Sequence, residues 1–133
     1  MKHLLAAAAL VLVLAAPASA AAPTFLVGAS GVVLPGTPAF AAKPTNLRQV
    51  YRVGTGVYCV APGPSFDWSS HTPLVAPLPA LSKKRSGTLL ATWDAGGQRC
   101  PAAAIQVRTY RLLGGLPKAA NDVAFHLLVG GSD

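Results

Sequence analysis

Gln49-Val50-Tyr51-Arg52-Val53-Gly54-Thr55-Gly56-Val57-Tyr58-Cys59-Val60 is the stretch on which the fold turns. Aromatic and β-branched residues crowd both halves, and such side chains suit a pleated surface better than a helix. Gly54-Thr55-Gly56 interrupts them, so the stretch reads either as two strands joined by a glycine turn or as one strand with a bulge. Ala61-Pro62-Gly63-Pro64 then ends the run.

Working outward, the same grammar recurs. Leu89, Ala91 and Trp93 alternate with Thr88, Leu90 and Thr92 before Asp94-Ala95-Gly96-Gly97 turns the chain. Ile105, Val107 and Thr109 alternate with Gln106, Arg108 and Tyr110, which predicts a strand with one wet face. Val123, Phe125, Leu127 and Val129 share one face of a last strand, which belongs at the centre of the core. Toward the N-terminus, Phe25–Val27 and Val32–Leu34 predict a short hairpin or a bent edge strand. Pro35-Gly36-Thr37-Pro38 stops it, and a loop follows to Lys43-Pro44. Pro73 to Pro79 carries too many prolines for a central strand and reads as an edge strand or extended segment. Leu112 to Lys118 reads as a glycine and proline loop. No helical period or fixed repeat is present beyond the N-terminal segment. The prediction is an all-β domain, a small antiparallel β-sandwich or open barrel of about six to eight strands.

Composition narrows the class further. The chain has 133 residues, 52% of them hydrophobic and 11% charged, with a formal net charge of +7. That hydrophobic share excludes disorder as the main state. The four acidic residues are all aspartates (Asp67, Asp94, Asp122, Asp133), too few for calcium or magnesium cages. Met1-Lys2-His3, the apolar run Leu4–Ala16 and the small residues Pro17-Ala18-Ser19-Ala20 have the layout of a signal peptide, with cleavage expected after Ala20. The mature domain is then residues 21–133, without a transmembrane segment, because the apolar run is shorter than the roughly 20 residues a spanning helix needs. No cysteine near the cleavage site offers a lipid attachment point.

Cys59 and Cys100 are the only cysteines. An exported chain with an even count predicts one disulfide, worth on the order of 4 kcal/mol for a loop of about 40 residues. A redox or zinc role would need close spacing such as Cys-x-x-Cys, which is absent.

The order Gly54–Val60, then Cys100 leading into Ile105-Gln106-Val107-Arg108-Thr109, then Asp122–Val129, resembles small secreted β-rich bacterial proteins of uncharacterised function. The resemblance implies an exported all-β domain and carries over no catalytic residue.

No catalytic constellation is visible. Gly28-Ala29-Ser30-Gly31 lacks the second glycine spacing of a nucleophile elbow, since position 32 is Val32. Asp122 and His126 would stand roughly 13 Å apart along a strand, too far for a relay. His71 lies near Asp67, yet no spacing gathers three zinc ligands. No metal or other cofactor is implied. Two stretches remain as candidate binding sites. The loop of residues 65–72 presents Phe66, Trp68 and His71, with Phe66 or Trp68 tucked inward and aromatic faces available to a sugar or a protein. Lys83-Lys84-Arg85 is a short basic run that, with Arg99, Arg108 and Arg111, could form a patch for an anionic partner or serve as a solvated turn. Neither a recognition helix nor an aromatic-basic motif points to specific nucleic-acid binding. The expected function is an exported, periplasmic or extracellular, non-enzymatic structural or interaction module. The alternatives are a binder of anionic envelope polymers through the basic run, and a small secreted hydrolase or protease inhibitor. The sequence does not name the partner; an anionic envelope component or another exported protein are the options it leaves.

Overall fold

The computed structural model describes residues 26–95 and 97–131. The expected signal peptide (residues 1–20), Phe25, Gly96 and Asp133 lie outside the described residues. Among the described residues there are nine strands and no helix: β1 (Val27–Leu34), β2 (Ala39–Phe40), β3 (Leu47–Gly54), β4 (Val57–Pro62), β5 (Pro73–Pro77), β6 (Thr88–Trp93), β7 (Ile105–Leu113), β8 (Leu116–Ala119) and β9 (Phe125–Gly130). They form two antiparallel sheets. One has the order β2-β1-β9-β5; the other has the order β3-β4-β7-β6, with β8 also pairing with β7. The sheets face each other as a sandwich and do not close into a barrel.

The core follows from the alternation. Phe125, Leu127 and Val129 of β9 and Ala29 and Val33 of β1 meet Tyr58 and Val60 of β4 and Ile105 and Val107 of β7. Each of these side chains is fully buried, as the sequence period of two requires. The Tyr58 ring meets Phe125 edge-on at 5.4 Å, tying the two sheets together.

Gln49 to Val60 resolves into two strands, β3 and β4, with Gly54 opposite Val57 across the turn. Residues 27–34 form one strand bulged near Gly28 rather than a hairpin, and β1 is flanked by β2 and β9 instead of lying at an edge. Pro73–Pro77 is an edge strand as expected, because its prolines lack N–H groups to offer a further neighbour.

Two expected loops contain strands. Ala39–Phe40 pairs with Val33 and Leu34 across the proline turn. Residues 112–118 are a hairpin in which Leu113 faces Leu116 and Arg111 faces Lys118. Gly114 and Gly115 both have positive φ (59° and 80°), the pair of left-handed residues that a two-residue hairpin turn demands.

The expected wet face of β7 is partly covered. Asp94 and residues 97–104 fold over it and bury Gln106. Gln106 donates to Asp94 Oδ2 (3.0 Å) and accepts from the Arg99 N–H (3.2 Å). Gly97 lies so close that a Cβ there would stand 2.6 Å from the Gln106 Cβ, so only glycine fits. Cys59 and Cys100 form a disulfide on this side, pinning the covering segment to β4 with Cα atoms 5.5 Å apart. Arg108 Nε lies 2.8 Å from Asp94 Oδ2 as an ion pair rather than an aligned hydrogen bond. The Tyr110 hydroxyl, followed by the Asp94 carboxylate, holds the Arg108 guanidinium above its ordinary pKa.

Candidate functional site

The candidate residues do not gather in one place. β7 extends about 25 Å, and the two candidate stretches lie near its opposite ends, one beside Ala103 and Trp93 and the other beside Arg111 and Leu113.

The aromatic loop forms a shallow pocket of about 490 Å³. Phe66 and Trp68 are half-buried against the core, so the expectation that they tuck inward holds for both. The Trp68 indole N–H donates to the Ala103 carbonyl (3.0 Å), which fixes the ring. His71 stacks on Phe66 with ring centroids 6.2 Å apart. Ser70 Oγ is 3.2 Å from His71 Nδ1, the contact of adjacent residues on an exposed loop. Asp67 Oδ1 accepts the Ser69 N–H (2.9 Å), and this bond holds its carboxyl below the usual aspartate pKa. The carboxylate therefore shapes the turn instead of bonding the imidazole.

At the other end is a cleft of about 680 Å³ with a different character. Its cationic wall consists of Arg52 from β3, Lys83 and Arg85 from the β5–β6 connection, Arg111 from β7 and Lys118 from β8; Asp122 is the one carboxylate among its lining residues. Lys84 is exposed on the same connection but does not line the cleft. Arg99 and Arg108 belong to the covering segment and the outer face of β7, so they take no part.

Arg111 organises this end. Its guanidinium is buried, a costly place for a charge unless it is paired and fully hydrogen-bonded. Nε donates to Asp122 Oδ1 (2.9 Å), Nη1 to the carbonyls of Arg85 (3.0 Å) and Ser86 (3.4 Å), and Nη2 to the carbonyl of Lys83 (2.5 Å). One buried cation thus turns the carbonyls of the basic run inward and leaves the side chains of Lys83 and Arg85 exposed. Asp122 also meets Arg85 Nε at 3.4 Å, but the Arg85 side chain is 69% exposed. Arg52 Nη1 donates to the Gly36 carbonyl (2.7 Å). Asn121 closes the floor: its Oδ1 accepts the Gly56 N–H (2.6 Å), and its carbonyl accepts the Tyr58 hydroxyl (3.2 Å). Burial pushes the Tyr58 phenol above its ordinary pKa.

Sequence reasoning singled out Lys83 and Arg85 and named Arg111 as a possible contributor. It did not find Arg52, Lys118 or Asp122 as members of the cleft. Lys118 was within reach, since a two-residue turn at Gly114-Gly115 places it directly opposite Arg111. Arg52 comes from a strand distant in sequence, and no local signal marks it. Among the described residues, no group of three or more His, Cys, Asp or Glu side chains is placed to hold a metal ion.

Set against protein-family models, curated proteins and solved structures, the chain matches none of them.

Proposed function

We propose that the chain is an exported, non-enzymatic interaction module that binds anionic polymers or surfaces of the cell envelope through the basic cleft. The observation that carries this reading is the lining of that cleft, where five cationic side chains surround a single carboxylate. The five come from four separate segments, β3, β7, β8 and the β5–β6 connection, so their convergence is a product of the fold rather than of one charged run. Opposed to an anionic partner, such a surface gains from charge complementarity and from release of counterions.

Export is supported by the signal-like N-terminus and by the engagement of both cysteines in a disulfide, a bond that persists in oxidising compartments. No helix among the described residues is long and apolar enough to cross a membrane.

The test is a titration of the mature protein with inorganic polyphosphate over a series of salt concentrations. Affinity should fall steeply with salt, and changing Lys83, Lys84 and Arg85 together to Ser should weaken binding and flatten that dependence. Arg52→Ser with Lys118→Ser should do the same from the other wall. Binding that ignores both sets of changes would overturn the reading.

A further inference from the structure

We infer that the anionic partner of the cleft is a lipid bilayer, and that the tip of the β7–β8 hairpin enters it; this deepens the binding reading above and rests on it. Leu113 and Leu116 face each other across the Gly114-Gly115 turn and are 38% and 67% exposed. A hairpin tip in water ordinarily carries small or polar residues, and single exposed leucines are unremarkable. Here two leucines form a cross-strand pair at the tip itself.

The register sets what lies behind them. Side chains alternate along each strand, so the Leu113–Leu116 pair shares its face with the next such pair, Arg111 and Lys118. That is the face of the basic cleft, and Leu113 itself lines it. Apolar groups at a projecting tip with cations set behind them match the layering of an anionic membrane surface, where acyl chains lie below charged headgroups. A soluble polyanion would use the cations and leave the leucines in water.

The experiment compares three probes: vesicles of phosphatidylcholine alone, vesicles of phosphatidylcholine with a minority of phosphatidylglycerol, and inorganic polyphosphate. The mature protein should pellet with the phosphatidylglycerol vesicles, weakly with phosphatidylcholine alone, and less in high salt. Leu116→Ser, at a site exposed enough to leave the fold intact by circular dichroism, should weaken vesicle binding about tenfold and leave polyphosphate binding unchanged. Removing Lys83, Lys84 and Arg85 should weaken both, by about fivefold per cation at the vesicle surface. Leu116→Trp should shift its emission to the blue with phosphatidylglycerol vesicles and not with polyphosphate. Polyphosphate binding without vesicle binding, or vesicle binding indifferent to Leu116, would overturn the bilayer inference and leave the anionic-cleft reading standing. Binding to none of the probes would overturn both.

Discussion

Arg111 and Arg85 share one carboxylate and differ in what their loss should do. Arg111→Met would leave the carboxylate of Asp122 to the mostly exposed Arg85 alone and strand the carbonyls of Lys83, Arg85 and Ser86 in a partly buried site. Breaking a buried, hydrogen-bonded pair from one side costs about 3 to 5 kcal/mol, so the variant should unfold at markedly lower denaturant, with faster amide exchange at residues 82–87. Arg85→Met, at a mostly exposed position, should change stability by less than about 1 kcal/mol and yet weaken anion binding. Equal losses in both variants would show that the loop is not held from within. Tyr58 gives a pH-dependent case. Burial raises its pKa in the folded state, so the unfolded chain ionises first. The stability this residue contributes is complete below the unfolded value of about 10 and declines as pH rises from there toward the folded value. Tyr58→Phe loses the hydrogen bond to the Asn121 carbonyl, about 1 kcal/mol at neutral pH, but keeps the ring against Phe125. Its alkaline unfolding curve should therefore be flatter than that of the parent, and parallel curves above pH 10 would contradict the assignment.

The β7–β8 hairpin shows how much an element depends on two residues. With φ positive at both Gly114 and Gly115, a β-branched residue is excluded from the turn, and Gly115→Val should cost about 1 to 2 kcal/mol. Gly114→Asn should be nearly neutral, because asparagine enters the left-handed region readily. Urea unfolding of the two variants checks both statements, and a benign valine would mean that the hairpin is not closed by this turn. The same element explains where the sequence could be read and where it could not. Strands β6, β7 and β9 were legible because one face of each turns to the core, which writes a period of two into the residues, whereas β4, buried on both faces from Val57 to Val60, was legible from its β-branched and aromatic side chains. In β8, Leu116, Pro117, Lys118 and Ala119 are all exposed, so no period forms, and the proline suggested a loop. Only the Gly-Gly pair marked it. β2, at two residues, is too short to carry any pattern. The cover over Gln106 was illegible for another reason: the alternation correctly placed Gln106 opposite the core, but the irregular segment just before β7, which has no period to read, folds back and makes that face dry. The candidate site divides along the same line. Its local part, Lys83 and Arg85, was readable as a charge run, while Arg52 joins them only through the pairing of β3 with β4.

At the scale of the whole molecule, the disulfide and the cleft serve different parts of the sandwich. Cys59–Cys100 lies outside the inter-sheet core and ties the Asp94–Ala104 cover to β4, whereas the cleft lies at the far end of β7, held by Arg111 and Asn121. Reducing the bond, or replacing both cysteines with alanine, restores chain entropy to the unfolded state without removing any side chain from between the sheets. The expected loss is about 2 to 4 kcal/mol, which for a domain of this size lowers Tm by roughly 10 to 25 °C. The core that Phe125, Leu127, Ile105 and Val60 build is intact in that variant, so below its Tm it should keep its β circular dichroism and a cooperative transition. Polyphosphate affinity should also survive, because none of the five cations depends on the covering segment for its position. Amide exchange separates this from a general loosening. Protection should fall at residues 97–104 and on β4 near Cys59, while the amides of β9 and the Arg111-bound loop keep theirs relative to the new global stability. A variant that lost anion binding while still folded would show instead that the cover and the cleft are mechanically coupled through β7, and that the long strand transmits between its ends rather than holding them apart.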